Sequence, residues 1–115
     1  MKRKFRLRKT SELKRVRREG RSYAHPLIVL QVLPNVDLQI RIGIVATKTI
    51  GNAVKRNYAK RLIREAIRNY LDKIQPGWNL VFVARPPILG AKFESIQLAI
   101  EDLLIRSKLL VISDV

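Results

Sequence analysis

The chain contains no cysteine. A disulfide framework, a cysteine zinc site and a cysteine nucleophile are therefore excluded. Histidine occurs once, and carboxylates are scarce, with 9 Asp+Glu set against 24 Lys+Arg in 115 residues. No apolar run approaches the roughly 20 residues that a membrane-spanning helix needs. The basic start, Met1 to Lys9, is not followed by the apolar segment of a secretory signal. These absences lead to the expectation of a soluble, cytoplasmic protein with no membrane partner.

What is present is a foldable chain with a strong positive field. Apolar residues make up 47% of the sequence and fall into periodic segments, unlike charged tails that cannot bury apolar area. The length suits one domain, residues 1–115, with a core large enough to need no covalent staple. A formal net charge of +15 points to a polyanion, and inside a cell the commonest polyanion is nucleic acid. The charge is unevenly placed. Residues 1–21 hold eleven Lys/Arg and two acids, residues 52–73 hold seven and two, and residues 92–110 are neutral. One side is expected to be basic and another neutral.

Hydrophobic periodicity gives the elements. After a basic arm of about residues 1–9, Thr10 or Ser11 is placed to cap a short helix ending near Glu19, with Gly20 in the left-handed position after it. Leu27 to Leu33 reads as a strand buried on both sides, and Gln39 to Thr47 alternates as a second strand. Their short connection predicts antiparallel pairing. Gly51-Asn52 opens a long amphipathic helix, about Ala53 to Ile74, whose inward positions include Val54, Tyr58, Ala59, Leu62, Ile63, Ala66 and Ile67. Trp78 to Ala84 is an apolar strand, stopped by Pro86-Pro87, and Phe93 to about Leu110 is another amphipathic helix. The strands on either side of the long helix are expected to be parallel neighbours in one small mixed sheet.

The other face of the long helix carries Lys55, Arg56, Lys60, Arg61, Arg64 and Arg68. Arg56, Lys60, Arg64 and Arg68 are four apart, which at about 1.5 Å rise per residue spaces them about 6 Å, close to the phosphate repeat of a nucleic-acid strand. A merely solvated helix face would interleave acids with these bases, and only Glu65 is available. The stripe is read as a phosphate-binding surface. Before it, Thr47-Lys48-Thr49-Ile50-Gly51-Asn52 offers a lysine, two hydroxyls, a glycine and an Asn cap at a helix start, where anions are favoured. The spacing is not that of a P-loop. From local sequence an ordinary capped turn is equally compatible.

Thr47 to Asn57, with Lys60-Arg61-Leu62-Ile63-Arg64-Glu65-Ala66, resembles the signature of the protein subunit of bacterial ribonuclease P. The likeness extends to the Arg6-Leu7-Arg8-Lys9 start and the strand ending in Ala84-Arg85-Pro86. It implies an α+β two-layer sandwich of order αβββαβα, with a small mixed four-stranded sheet and a left-handed βαβ crossover, an exception to the usual hand. It also implies the activity: assisting a catalytic RNA subunit in removing the 5′ leader of precursor tRNA by hydrolysis of one phosphodiester bond. Mg2+ is then required by the RNA catalyst, not held by a protein site. No catalytic residue is expected in the protein, and no obligate protein partner. His25, Asp37, Glu101, Asp102 and Asp114 are too dispersed to form a nuclease centre, and His25 reads as a turn residue.

By the same resemblance Arg56, Asn57, Lys60, Arg61 and Arg64 contact the catalytic RNA, and Lys48, Gly51 and Asn52 match the loop before them; Lys55 and Arg68 join the RNA-binding set through their place on the cationic helix face. Two departures stand out. Tyr58 occupies a position where the family usually has a third base, and its place in the apolar periodicity favours packing over stacking on RNA. The leader cleft, often aromatic in the family, has Leu13, Arg17 and Gln31 at matching positions. Loss of stacking platforms worth about 1–3 kcal/mol per base predicts leader binding that is more electrostatic, with Arg17 stacking or pairing with phosphate. The alternative function is that of a structural RNA-binding protein of the ribosomal type, with the same charge and sheet but no part in tRNA processing.

Overall fold

The computed structural model describes residues 3–7 and 9–111; Arg8 of the basic start and Asp114 of the tail lie outside the described residues. The elements are α1 (Thr10–Glu19), β1 (Arg21–Ala24), β2 (Ile28–Pro34), β3 (Ile40–Val45), α2 (Ala53–Ile67), β4 (Trp78–Ala84) and α3 (Phe93–Arg106), with 3-10 turns at Arg3–Phe5, Arg68–Lys73 and Pro86–Gly90. The order αβββαβα is the expected one. The sheet runs β1-β2-β4-β3, with β1·β2 and β2·β4 antiparallel and β3·β4 parallel.

Pairing of β2 with β3, expected from their short connection, does not occur, because β4 lies between them. Leu80, Val81 and Phe82 are all fully buried, so β4 needs neighbours and cover on both faces, whereas β3 has Arg41 and Gly43 on one face and suits an edge. Asn35 and Gly77 close the gap left at the strand ends: Asn35 N–H donates to the Gly77 carbonyl at 2.9 Å and Gly77 N–H to the Gln39 carbonyl at 3.0 Å. Nor is β2 buried on both sides. Ile28, Leu30 and Val32 are buried while Val29, Gln31 and Leu33 are only half-buried, since the second face is covered by the single short helix α1.

The main core lies between the sheet and the pair α2 and α3, where Ile63, Ile67, Phe82, Ile96, Ile100 and Leu104 are among the fully buried side chains. Each such side chain contributes about 1.5–3 kcal/mol relative to exposure. A smaller cluster under α1 joins Leu7, Val16 and Val81. Thr10 and Ser11 do not cap α1; Lys9 occupies that position without a side-chain cap bond. Gly20 is extended, at φ −69°, not left-handed. It must be glycine for another reason: a Cβ there would sit 2.5 Å from the Val16 carbonyl oxygen and 3.0 Å from that of Val32.

The α-helical part of the long helix ends at Ile67 and continues as the 3-10 turn to Lys73. Helix α3 ends at Arg106, four residues short of expectation, because Lys108 adopts a left-handed φ of 63°. Leu109 N–H then reaches back to the Leu104 carbonyl at 2.9 Å, a Schellman-type end with lysine in place of glycine.

The basic arm is part of the sheet. Arg6 bridges Ile42 in parallel fashion, and Leu7 N–H donates to the Ile42 carbonyl at 2.9 Å. That bond fixes the hand of the β3-α2-β4 crossover. Seen from the α2 side with β3 running upward, an L-residue whose side chain faces the viewer turns its own N–H and C=O to the right. Ile42 faces the α2 core and gives its carbonyl to the arm, so β4 lies on the left and the crossover is left-handed. The usual hand is right, in about 98% of cases.

Candidate nucleic-acid interface

The loop before α2 is tightly braced. Ile50 is buried beneath it, and Ile50 and Gly51 N–H groups donate back to the Thr47 and Lys48 carbonyls at 3.0 and 3.1 Å. Gly51 has φ 135°, in the region only glycine enters cheaply. Asn52 Oδ1 accepts from the Lys55 N–H at 3.0 Å, an N-cap as expected. Arg56 folds back so that Nη1 donates to the Gly51 carbonyl at 2.9 Å. A guanidinium has five N–H donors, so Arg56 steadies the loop and keeps donors for a ligand.

Along α2, Lys55, Asn57, Arg61 and Arg68 are exposed, while Arg56, Lys60 and Arg64 are half-buried. Lys48 is exposed on the loop. Among the described residues, ion pairs within 4.0 Å are Arg15–Glu19, Arg41–Asp37, Arg68–Glu65 and Arg106–Asp102, leaving Lys48, Lys55, Arg56, Lys60, Arg61 and Arg64 outside them. The Arg68–Glu65 pair is long, at 3.5 Å, and both side chains are exposed, so a phosphate competes for Arg68 easily. Lys60 and Arg64 lean toward the β3 edge, lining a cavity of about 310 Å³ with Arg6, Leu13, Gly43 and Ile44. Arg64 Nε is buried with no hydrogen-bond partner among the described residues.

Tyr58 does not pack in the core. It is 42% exposed, with the Arg61 guanidinium 5.6 Å from its ring centroid. Val54, one turn earlier, is 76% exposed. In the first two turns of α2 only Ala59 is buried, so the apolar periodicity of Val54 and Tyr58 meets no cover, and Tyr58 lies beside Arg61 on the basic face.

On the second face of the sheet, α1 crosses with Leu13 over Gly43. A Cβ on Gly43 would come within 2.7 Å of Leu13 Cδ1. Arg17 and Gln31 are brought together: Gln31 Nε2 donates to the Arg17 carbonyl and to Ser22 Oγ, each at 3.2 Å. Arg17 itself is exposed, whereas Leu13 is half-buried against the small cluster. Val29, Val83 and Val45 form a row across β2, β4 and β3 on this face, and all three are half-buried. The result is a half-buried apolar row on the sheet face that α1 crosses, with exposed Arg17 on that helix.

His25 is a turn residue: its Nδ1 accepts from the Leu27 N–H at 3.1 Å. Among the described residues Tyr70 is the titratable group with a shift. Burial, with a smaller contribution from the Glu101 carboxylate, raises its phenol above the ordinary value of 10.0. Residues not singled out from sequence also belong here. Arg41 binds the arm, Nη1 to the Lys4 carbonyl at 2.8 Å, and Phe5 sits half-buried beside α2. The signal for Phe5 was its isolation as an aromatic ring within a run of bases.

A docked basic arm, a continuous cationic helix face and a half-buried apolar sheet face crossed by the basic helix α1, on a left-handed βαβ fold, define a small RNA-binding α+β protein. The family model for ribonuclease P matches residues 1–108. The chain is similar to the ribonuclease P protein component of Herpetosiphon aurantiacus, 44% identical over 109 residues that cover 95% of this chain and 89% of the relative. That of Clostridioides difficile is 38% identical, with coverage of 88% and 90%. Among solved structures, the Staphylococcus aureus RNase P protein superposes with a TM-score of 0.81 at 30% identity, covering 92% of this chain and 97% of that one. The Thermotoga maritima RNase P protein, in complex with 1-(4-fluorophenyl)-2-thiourea, gives 0.76 at 27% identity, covering 87% and 97%. The chain belongs to the ribonuclease P protein family, whose work is 5′ leader processing of precursor tRNA together with an RNA subunit. Membership decides against the alternative of a ribosomal-type structural protein.

Proposed function

We propose that this chain binds the catalytic RNA along α2 and guides the precursor tRNA leader across the sheet face beside α1, while hydrolysis takes place on the RNA. The observation that carries the reading is the run Lys55, Arg56, Lys60, Arg61 and Arg64, none of them in an ion pair among the described residues. Such a surface pays a like-charge cost unless phosphates meet it.

Five of the acid–base groups among the described residues are engaged otherwise, which supports placing bond breaking in the RNA. His25 accepts a backbone N–H, and Glu19, Asp37, Glu65 and Asp102 each face an arginine. Mg2+ bound by the RNA would supply an activated water and stabilise the leaving oxygen; no protein ligand is assigned to it. The chain's own part is to offset phosphate repulsion between two RNAs, so that they associate at lower Mg2+. Arg17 and Gln31 flank the leader path, and Leu13 supports it from the small core. The test is reconstitution with a bacterial ribonuclease P RNA at low magnesium. The 5′ end of a precursor tRNA is trimmed when the chain is added; an unchanged rate would overturn the reading.

A further inference from the structure

We infer that the cavity between the basic arm and the end of α2 is a pocket for one unpaired guanosine of the catalytic RNA. This rests on the RNA-binding reading above and gives it a base-specific contact. The cavity, about 780 Å³, is lined by Lys4, Phe5, Arg64, Arg68, Asn69 and Asp72 together with Leu71. That volume lies within the range of small-ligand sites, about 300–1,000 Å³, and accommodates a nucleotide.

Four features converge there. Phe5 offers an aromatic ring held in place by the arm, which is anchored on β3 through Leu7 N–H and the Ile42 carbonyl, and Lys4 Nζ lies 5.0 Å from the ring centroid. Ring and ammonium together suit a base and its phosphate. Arg64 brings a buried Nε without a partner among the described residues and also lines the neighbouring cavity with Lys60, so the pocket continues the cationic stripe. Asp72 is exposed and makes no ion pair among the described residues, although arginines line the same walls. A site for phosphate alone has no use for a carboxylate, which repels the ligand. An ionised carboxylate only accepts hydrogen bonds, so its partner must present donors.

Guanine presents two adjacent donors, its ring N–H and exocyclic amino group, in the spacing of a carboxylate's two oxygens. Adenine and cytosine present only the amino group there, and uracil only a ring N–H. Asn69, with both donor and acceptor atoms, is placed to take the guanine carbonyl. RNA recognition of this kind acts on unpaired bases through stacking and Watson–Crick edges. The continuity with α2 assigns the guanosine to the catalytic RNA, not to the leader, whose path lies beside α1.

The probes are single-stranded uridine pentamers carrying a central guanosine, adenosine or uridine, measured by fluorescence anisotropy at fixed salt with the full chain. The guanosine probe binds about tenfold more tightly than the adenosine probe, within the range for a good bidentate contact. Asp72→Asn, a surface change, brings the two within about twofold, while Phe5→Ala weakens both about tenfold and keeps their ratio. Equal binding of guanosine and adenosine by the unmodified chain, or a preference that survives Asp72→Asn, overturns the pocket. If the all-uridine probe still binds with steep salt dependence in that case, only the guanosine inference fails; if it does not bind at all, the RNA-binding reading fails with it. In the reconstituted ribonucleoprotein, Asp72→Asn weakens capture of the RNA subunit whatever the leader sequence. An effect confined to leaders containing guanosine would refute the assignment to the subunit.

Discussion

Replacing Arg64 by alanine should change how RNA affinity responds to salt, not only its size. Each protein cation that neutralises a phosphate releases condensed counterions, so the logarithm of affinity falls with the logarithm of salt by about 0.7 per contact on a single strand and 0.9 on a duplex. Lys55, Arg56, Lys60, Arg61 and Arg64 lie outside the ion pairs of the described residues. If each meets one phosphate, their combined slope is about −3.5 to −4.5. Between 50 and 200 mM salt those contacts alone cost a factor of roughly 100 to 500 in affinity. Arg64→Ala then reduces the slope by about 0.7–0.9, and so does Lys60→Ala. Lys108→Gly is the control. It removes a cation on the wall shared with Trp78 and Arg106, away from the stripe, and relieves a left-handed φ of 63°, so the slope stays unchanged while stability holds or rises. The assay is filter binding or anisotropy against the RNA subunit at five or more salt concentrations. Equal slopes for all four proteins would remove the α2 face from the interface, however much the affinities differed.

The remaining expectations are narrower. Gly20→Ala forces a Cβ against two carbonyl oxygens and should destabilise by about 1–3 kcal/mol, seen as a lower urea midpoint with the same slope; an unchanged midpoint would show that α1 shifts freely. Arg17→Ala should weaken precursor tRNA binding similarly for leaders of different sequence, and a strong base preference surviving the change would contradict an electrostatic cleft. Tyr70, with its phenol raised above 10.0, favours the folded state while protonated, so its contribution is full below about pH 10 and declines as pH rises through the folded value. Tyr70→Phe should flatten the alkaline limb of the stability profile measured by denaturation, and an identical limb would place the dependence elsewhere.

How much of this was readable in the sequence depended on whether a local pattern or a distant partner decided the outcome. The Thr47–Asn57 motif, the Asn52 cap and the cationic face of α2 are local, and the chain carried them in full. Strand β1 was not visible as a pattern: Arg21-Ser22-Tyr23-Ala24 has little apolar content, and it is a strand because Arg21 through Ala24 pair with Val32 through Val29. Only the family likeness supplied it. The insertion of β4 between β2 and β3 is likewise non-local. Tyr58 and Val54 misled in the opposite sense, because their positions at the start of α2 are exposed despite the periodicity. Among the leader residues, Arg17 and Gln31 meet through a hydrogen bond that no spacing of 14 positions would announce, and Leu13 is spent largely on packing over Gly43.

The division of labour between protein and RNA is tested most directly by single-turnover cleavage of one precursor tRNA under three conditions: protein stripped of RNA, RNA subunit alone at high magnesium, and the two combined at low magnesium. The account predicts no cleavage at the mature 5′ end from the protein alone, slow cleavage there from the RNA alone, and rapid cleavage from the pair. Cleavage at that position by the RNA-free protein would contradict it.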